Sequence, residues 1–197
     1  MPGCSEPAHE PDAATHLSRR ARGLLPDAQD AGRRKAALAT EHGLEGVFPL
    51  DAALDLVGLP KPEAARRIAL ANKALMRSCD ALIANLTPFR GISADAGTAF
   101  EVGYMRALGK PVLGYTNTPL DYRRRAEMQR AIQRLPFEAD APGVAVEDFD
   151  LAENLMIEVA ILESGGQLVR SIVPEGAEMT GLDGFRACLV RARALLD

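Results

Sequence analysis

The sequence predicts an α/β protein, a single domain built on a doubly wound parallel sheet. Three observations carry that expectation. Short apolar runs alternate with longer segments of helical period, the pattern of strand–helix–strand units. One run, Ala81-Leu-Ile-Ala-Asn-Leu86, passes through a turn, Thr87-Pro-Phe-Arg-Gly91, into a helix-like stretch that contains Asp95-Ala-Gly-Thr-Ala-Phe-Glu101 and ends at Gly109-Lys-Pro111. Strand, Gly-containing loop and helix in that order build a ligand crevice in an open α/β sheet. Finally, 197 residues suffice for one sizeable core but not comfortably for two.

Residues 1–24 are rich in Pro, Ala, Arg and acidic side chains without a sustained period, and are expected to be irregular. The α/β domain is expected over residues 25–197. Asp27 to His42 reads as a helix stopped by Gly43. Val47-Phe-Pro-Leu50 reads as a short strand. Pro62 to Cys79 reads as a helix whose apolar stripe is Ala64, Ile68, Ala71 and Leu75. Ala81 to Leu86 and Pro111 to Tyr115 read as strands, and Asp121 to Gln133 as a polar, Arg-rich helix. Pro136 to Asp150 is loop-like, with a strand expected at Val144 to Phe149. Glu153 to Leu162 is helical. Phe185, Cys188, Leu189, Ala192 and Leu196 mark a last amphipathic helix.

Composition narrows the function. A net charge of −4 disfavours a nucleic-acid backbone as partner. Cys4, Cys79 and Cys188 are scattered, with no C-x-x-C, which fits a reducing compartment such as the cytoplasm. His9, His16 and His42 do not cluster with them, so no zinc site is expected. No apolar run is long enough to span a bilayer, and the N-terminus lacks the apolar centre of a signal peptide. No G-x-G-x-x-G, Walker loop or G-x-S-x-G occurs, which removes support from dinucleotide, P-loop and serine-hydrolase readings.

The chemistry concentrates in Asp95 and Glu101. A carboxylate pair at a crevice can do acid, base or nucleophile work on a glycosidic bond. Glu101, early in its helix, is expected to be ionised by the helix dipole and able to attack an anomeric carbon. The competing reading is a Glu on the exposed helix surface. Asp95 reads equally as a helix cap, and Gly97 and Gly103 as points of close backbone packing. Phe89 and Arg90 are candidates for substrate contact, Phe89 by stacking on a base; an ordinary turn with an exposed Arg is the plainer alternative. Asn85 ends its strand on the crevice side and needs partners if buried.

The whole set of motifs resembles the nucleoside 2-deoxyribosyltransferase family. The residues that carry the resemblance are Cys79-Asp-Ala-Leu-Ile-Ala-Asn-Leu-Thr-Pro-Phe-Arg-Gly91 and Asp95-Ala-Gly-Thr-Ala-Phe-Glu-Val-Gly103. Leu25-Pro-Asp-Ala28, Gly32-Arg-Arg-Lys35, Gly46-Val-Phe-Pro-Leu-Asp51 and Asn154-Leu-Met156 extend it. It implies a flavodoxin-like fold and double displacement at a 2′-deoxynucleoside, with a free nucleobase as second substrate and no metal or organic cofactor. By that resemblance Glu101 is the nucleophile of a covalent deoxyribosyl-enzyme, and Asp95 contacts the sugar and helps protonate the leaving base. Asn154 and Met156 match residues that reach into a neighbouring subunit's pocket, which implies a homo-oligomer with composite sites.

Two departures stand out. In some members an aspartate that contacts the base stands eight positions before the residue matching Asp80; here that position is Asn72, whose amide cannot be a general acid. The family also opens on a central strand of the type Ile-Tyr-Leu-Ala-Gly-Pro-Glu-Val-Phe, whose Tyr orients the nucleophile. This chain has His16-Leu-Ser-Arg-Arg-Ala-Arg-Gly-Leu24 there. One allowed coding of those residues, CAT CTA TCT CGC CGG GCC CGA GGT CTT, reads one base later as Ile-Tyr-Leu-Ala-Gly-Pro-Glu-Val. Residues upstream of Leu25 therefore read as a frameshifted translation, one base having been lost near the Leu24 codon. On that reading the first strand is missing, the segment lies outside the sheet, and no residue matches the family Tyr. Base exchange between deoxynucleosides is the leading function. The alternatives are a nucleoside or nucleotide N-glycosidase that uses water as acceptor, and a catalytically silent nucleoside-binding module. A carboxylate at Asp95 would repel a 5′-phosphate, which favours nucleosides.

Overall fold

The computed structural model describes residues 14–18, 30–48, 55–133 and 146–197. The elements run β1 (Ala14–Ser18), α1 (Asp30–Glu41), β2 (Glu45–Val47), α2 (Lys61–Ser78), β3 (Ala81–Asn85), α3 (Ala96–Ala107), β4 (Val112–Thr116), α4 (Tyr122–Gln133), α5 (Leu155–Glu163), β5 (Leu168–Arg170) and α6 (Asp183–Leu196). One five-stranded sheet has the order β2-β1-β3-β4-β5, the strand order of flavodoxin-like folds. β3 pairs parallel with β4, and β4 with β5. β2 points the same way as β3, because β1 is antiparallel to both.

β3 and β4 are buried at every position, and their side chains divide by the two-residue period of a strand. Ala81, Ile83, Leu113 and Tyr115 face a core with Leu38 and Ala39 of α1 and Phe185, Cys188, Leu189 and Ala192 of α6. Leu82, Ala84 and Val112 face the opposite core, with Met76 of α2, Val102 and Met105 of α3 and Ile161 of α5. A parallel sheet needs cover on both faces, and these helices supply it. Lys110 closes the end of α2, its Nζ donating to the carbonyls of Met76, Arg77 and Cys79. No helix among the described residues is long and apolar enough to cross a membrane.

The first departure from the sequence reading concerns the N-terminal segment. Residues 14–18 were expected outside the sheet and instead form a strand inside it, between β2 and β3, with His16 opposite both Val47 and Leu82. Without a strand there, the facing edges of β2 and β3 would keep unpaired backbone donors and acceptors. Ala-Thr-His-Leu-Ser carries no Lys, Arg, Asp or Glu and can take that place; the cationic run Arg19 to Arg22 lies outside the described residues. Its direction is opposite to that of its neighbours.

Three smaller differences concern single elements. Residues 146–149 are not a strand, and 144–145 lie outside the described residues. Glu147 instead turns its carboxylate to the start of α5, accepting from Asn154 Nδ2 and the Leu155 amide. The strand beyond β4 is β5, two half-exposed residues and an exposed arginine, too short to register as a period. In α2 only Met76 is buried, and Ile68 of the expected stripe is 40% exposed. The expected helix start at 27–29 and strand end at 49–50 lie outside the described residues.

Two glycines test the packing. A Cβ at Gly166 would lie 1.7 Å from the Val112 carbonyl oxygen, where nothing can yield, whereas one at Gly103 would meet no atom within 4 Å. Close packing is therefore not the reason for Gly103. Gly166→Ala should lower stability by more than about 3 kcal/mol, and Gly103→Ala should raise it by roughly 0.5–1 kcal/mol. Thermal unfolding of both variants checks this.

Candidate active site

The loop from β3 to α3 delivers the two carboxylates. Asp95 is the N-cap of α3: its Oδ2 accepts from the amides of Gly97 (2.8 Å) and Thr98 (3.4 Å). The capping role read from the sequence is thus real, and it fixes where the Asp95 carboxylate sits. It also explains Gly97, since a Cβ there would lie 2.8 Å from that same Oδ2.

Glu101 follows on α3, past the first turn. It is half-buried rather than on an open helix surface, and its Oε2 is buried with no hydrogen-bond partner. Burial, followed by the negative charge of Asp95, pushes its carboxyl up to about 7. Burial thus opposes the ionisation that the helix dipole favours. The dipole acts within the first turn, and here desolvation outweighs it. One turn earlier, Thr98 is fully buried and its Oγ1 is also unpaired.

Asn85 is buried at the end of β3, and its Oδ1 accepts from the Thr87 amide. Thr87 Oγ1 in turn accepts from the Asn117 amide, which ties the ends of β3 and β4 together. Phe89 and Arg90 form the loop's outer turn, closed by the Phe89 amide donating to the Ser93 carbonyl. The Arg90 guanidinium lies over the Phe89 ring at 4.7 Å, and Arg90 adopts φ 55°, a left-handed conformation uncommon outside glycine. Asn72 is half-buried on α2.

Asn154 and Met156 stand at the start of α5. Asn154 is the N-cap, its Oδ1 accepting from the Met156 amide, and the Met156 side chain is 72% exposed. Two residues that the sequence reading passed over link this helix start to the carboxylate loop. Glu153 is 1% exposed and pairs with Arg125 of α4, itself 7% exposed, at 3.2 Å. Glu153 also accepts from Ser93 Oγ (2.5 Å) and from the amides of Ala94 (3.2 Å) and Asn154 (3.0 Å). Arg125 further donates to the carbonyls of Ile92 (2.6 Å) and Leu120 (2.8 Å). Arg125 was hidden in a helix of four arginines. The available signal was Ala126: that small residue, buried next to Arg125, marks the inward side of α4.

A cavity of about 490 Å³ lies between this loop and α4, lined by Arg90, Gly91, Ile92, Tyr122, Gln129 and Glu147 among others. Neither Asp95 nor Glu101 lines it.

The class these features define is a small α/β protein of flavodoxin-like strand order, with a capped carboxylate and a second, desolvated one in the β3–α3 segment. The family model described as nucleoside 2-deoxyribosyltransferase matches residues 21–156. That is more than half of the sequence, and the chain belongs to this family. A protein of Schizosaccharomyces pombe described as uncharacterized, C191.05c, is 32% identical over 146 residues, which are 66% of this chain and 68% of that one. Among solved structures, a 2-desoxiribosyltransferase from Leishmania mexicana is 33% identical, with a TM-score of 0.35 over 52% of this chain. The present chain spans 59% of the length of that structure.

The high Glu101 pKa predicts a pH-dependent stability. The acid form is favoured in the fold, so its contribution is complete below about pH 4.5 and is lost as pH rises through about 7. Glu101→Gln should therefore be more stable than wild type at pH 8, by on the order of 2 kcal/mol. The gain should vanish below about pH 4.5. Denaturant unfolding across that range measures it.

Proposed function

We propose that the chain transfers a 2-deoxyribosyl group between nucleobases by double displacement. The observation that carries this reading is Glu101: a half-buried carboxylate with an unpaired Oε2, beside a second carboxylate that the helix cap holds in place. Ionised Glu101 attacks the anomeric carbon as the bond to the base breaks, and the base leaves with a proton supplied at Asp95 or by water. The glycosyl–glutamate ester then yields to a second base, with Glu101 as leaving group. Because the nucleophile must be ionised, kcat/KM should rise with pH through about 7.

The site is completed by a neighbouring copy through Asn154 and Met156. Supporting this, Met156, Val159 and Leu162 of α5 and Phe100 of α3 are all exposed apolar residues on two helices that pack together. Homo-oligomers with composite sites, acting on deoxynucleosides and free bases, follow.

Incubation with a deoxynucleoside and a second free base tests the function. Exchange supports it, release of base alone points to an N-glycosidase, and binding without turnover to a silent binding module. Glu101→Ala should abolish exchange by several orders of magnitude while keeping the fold, and intact mass should show an added deoxyribosyl group on wild type only. Dilution to monomer should remove activity, and Asn154→Ala should weaken substrate binding.

The frameshift reading bears on the level of activity. The family match begins at residue 21, past β1, and β1 runs against the parallel direction of its neighbours. On this reading β1 fills a place meant for the parallel strand that carries the nucleophile-orienting Tyr. The chain as written should be weakly active, and restoring one base near the Leu24 codon should raise activity and melting temperature together. Full activity of the present chain, measured beside the restored one, would refute it.

A further inference from the structure

We propose that the buried Glu153–Arg125 pair positions the active site, locking the loop that carries Asp95 to the start of α5, from which Asn154 and Met156 project. The inference rests on the functional reading above and adds residues to it.

The contacts are unusual in where they go. Four donors converge on the two oxygens of Glu153: Ser93 Oγ and the Asn154 amide on Oε1, the Ala94 amide and Arg125 Nη2 on Oε2. Ser93 and Ala94 are the two residues immediately before Asp95, and Asn154 is the next residue after Glu153. Arg125 adds the carbonyls of Ile92, in the same loop, and Leu120, in the loop after β4. Three connections at the C-terminal ends of the strands are thus cross-linked by one buried pair. The Glu153 backbone is held as well, because Glu158 Oε2 accepts from the amides of Ala152 and Glu153.

A buried ion pair is weak evidence for stability, since desolvation offsets the attraction. What this pair supplies is register. Charge-assisted bonds are short and directional, and they fix the Asp95 cap and, through it, the first turn of α3, from which the helix carries Glu101 one turn further on. They fix the N-cap of α5 in the same frame. The half-site on this subunit and the segment offered to its neighbour therefore order together. Glu153 and Arg125 are positioning residues and need not touch substrate.

Two variants test this on the full chain. Ser93→Ala removes one bond and leaves the buried pair intact, so it should fold. Glu153→Gln keeps the shape but places an amide donor among donors. In both, amide hydrogen exchange at Ala94, Gly97 and Thr98 should quicken roughly tenfold under native conditions, as the loss of about one hydrogen bond implies. The first-turn amides of α5 should quicken with them in Glu153→Gln, while β3 and β4 stay protected. In the exchange assay kcat should fall at least about tenfold with KM changed much less, because the reacting groups are misplaced rather than lost. Wild-type protection at Ala94, Gly97 and Thr98 in Ser93→Ala refutes the proposal, as does a kcat that falls only in proportion to unfolded protein. If the unvaried chain neither exchanges nor releases base, the functional reading fails, and the amide protection still decides the positioning role by itself.

Discussion

The site hangs from the parallel pair β3 and β4. Every residue of both strands is buried, on two faces, by different helices. Such strands cannot slide, because a one-residue slip would exchange the two faces and put Tyr115 where Val112's core lies. Fixed strands fix their C-terminal ends, and the Asn85, Thr87 and Asn117 bonds carry that order one step past the ladder. The loop that follows has only to place one cap. Asp95 does so, and the helix geometry sets Glu101 from it.

Glu101 shows where the fold accepts a cost. A carboxylate with a buried, unpaired oxygen would be removed by any optimisation of stability. Its neighbours could have shielded it and do not: Thr98 Oγ1 is itself unpaired, and Asp95 adds charge of the same sign. Groups left unsatisfied in this way concentrate where chemistry is done. The contrast with Glu153 is instructive, because that carboxylate is more deeply buried and fully engaged. Glu153 is tied to the loop by four donors, whereas Glu101 Oε2 has none.

The elements around the crevice were legible because their signals are local. β3, β4 and α3 are marked by apolar runs, an N-cap and a Gly-Lys-Pro stop, and a single parallel crossover joins them. The Arg125–Glu153 pair was hard to read, because the small Ala126 beside it is the one cue that tells this arginine of Tyr122-Arg-Arg-Arg-Ala from the others. Which one is buried depends on how α4 packs against a loop 30 residues earlier. The upward pull on the Glu101 pKa was not legible for a related reason. The helix dipole can be read from sequence position, whereas desolvation depends on what covers the side chain. β5 escaped because three residues, none of them buried, have no period to detect.

β1 illustrates how backbone and side chains can give different answers. The side chains of residues 16–24, with three arginines in five positions at 18–22, argue against a central strand. The backbone argues for one, because β2 and β3 lie too far apart to pair and each presents a row of donors and acceptors. The outcome meets both demands. The strand stops at Ser18, just before the arginines, and uses the uncharged Ala14-Thr-His-Leu-Ser18. It meets them only by reversing direction. In a sheet otherwise parallel, β1 meets the hydrogen-bonding demand of the gap while running against both neighbours.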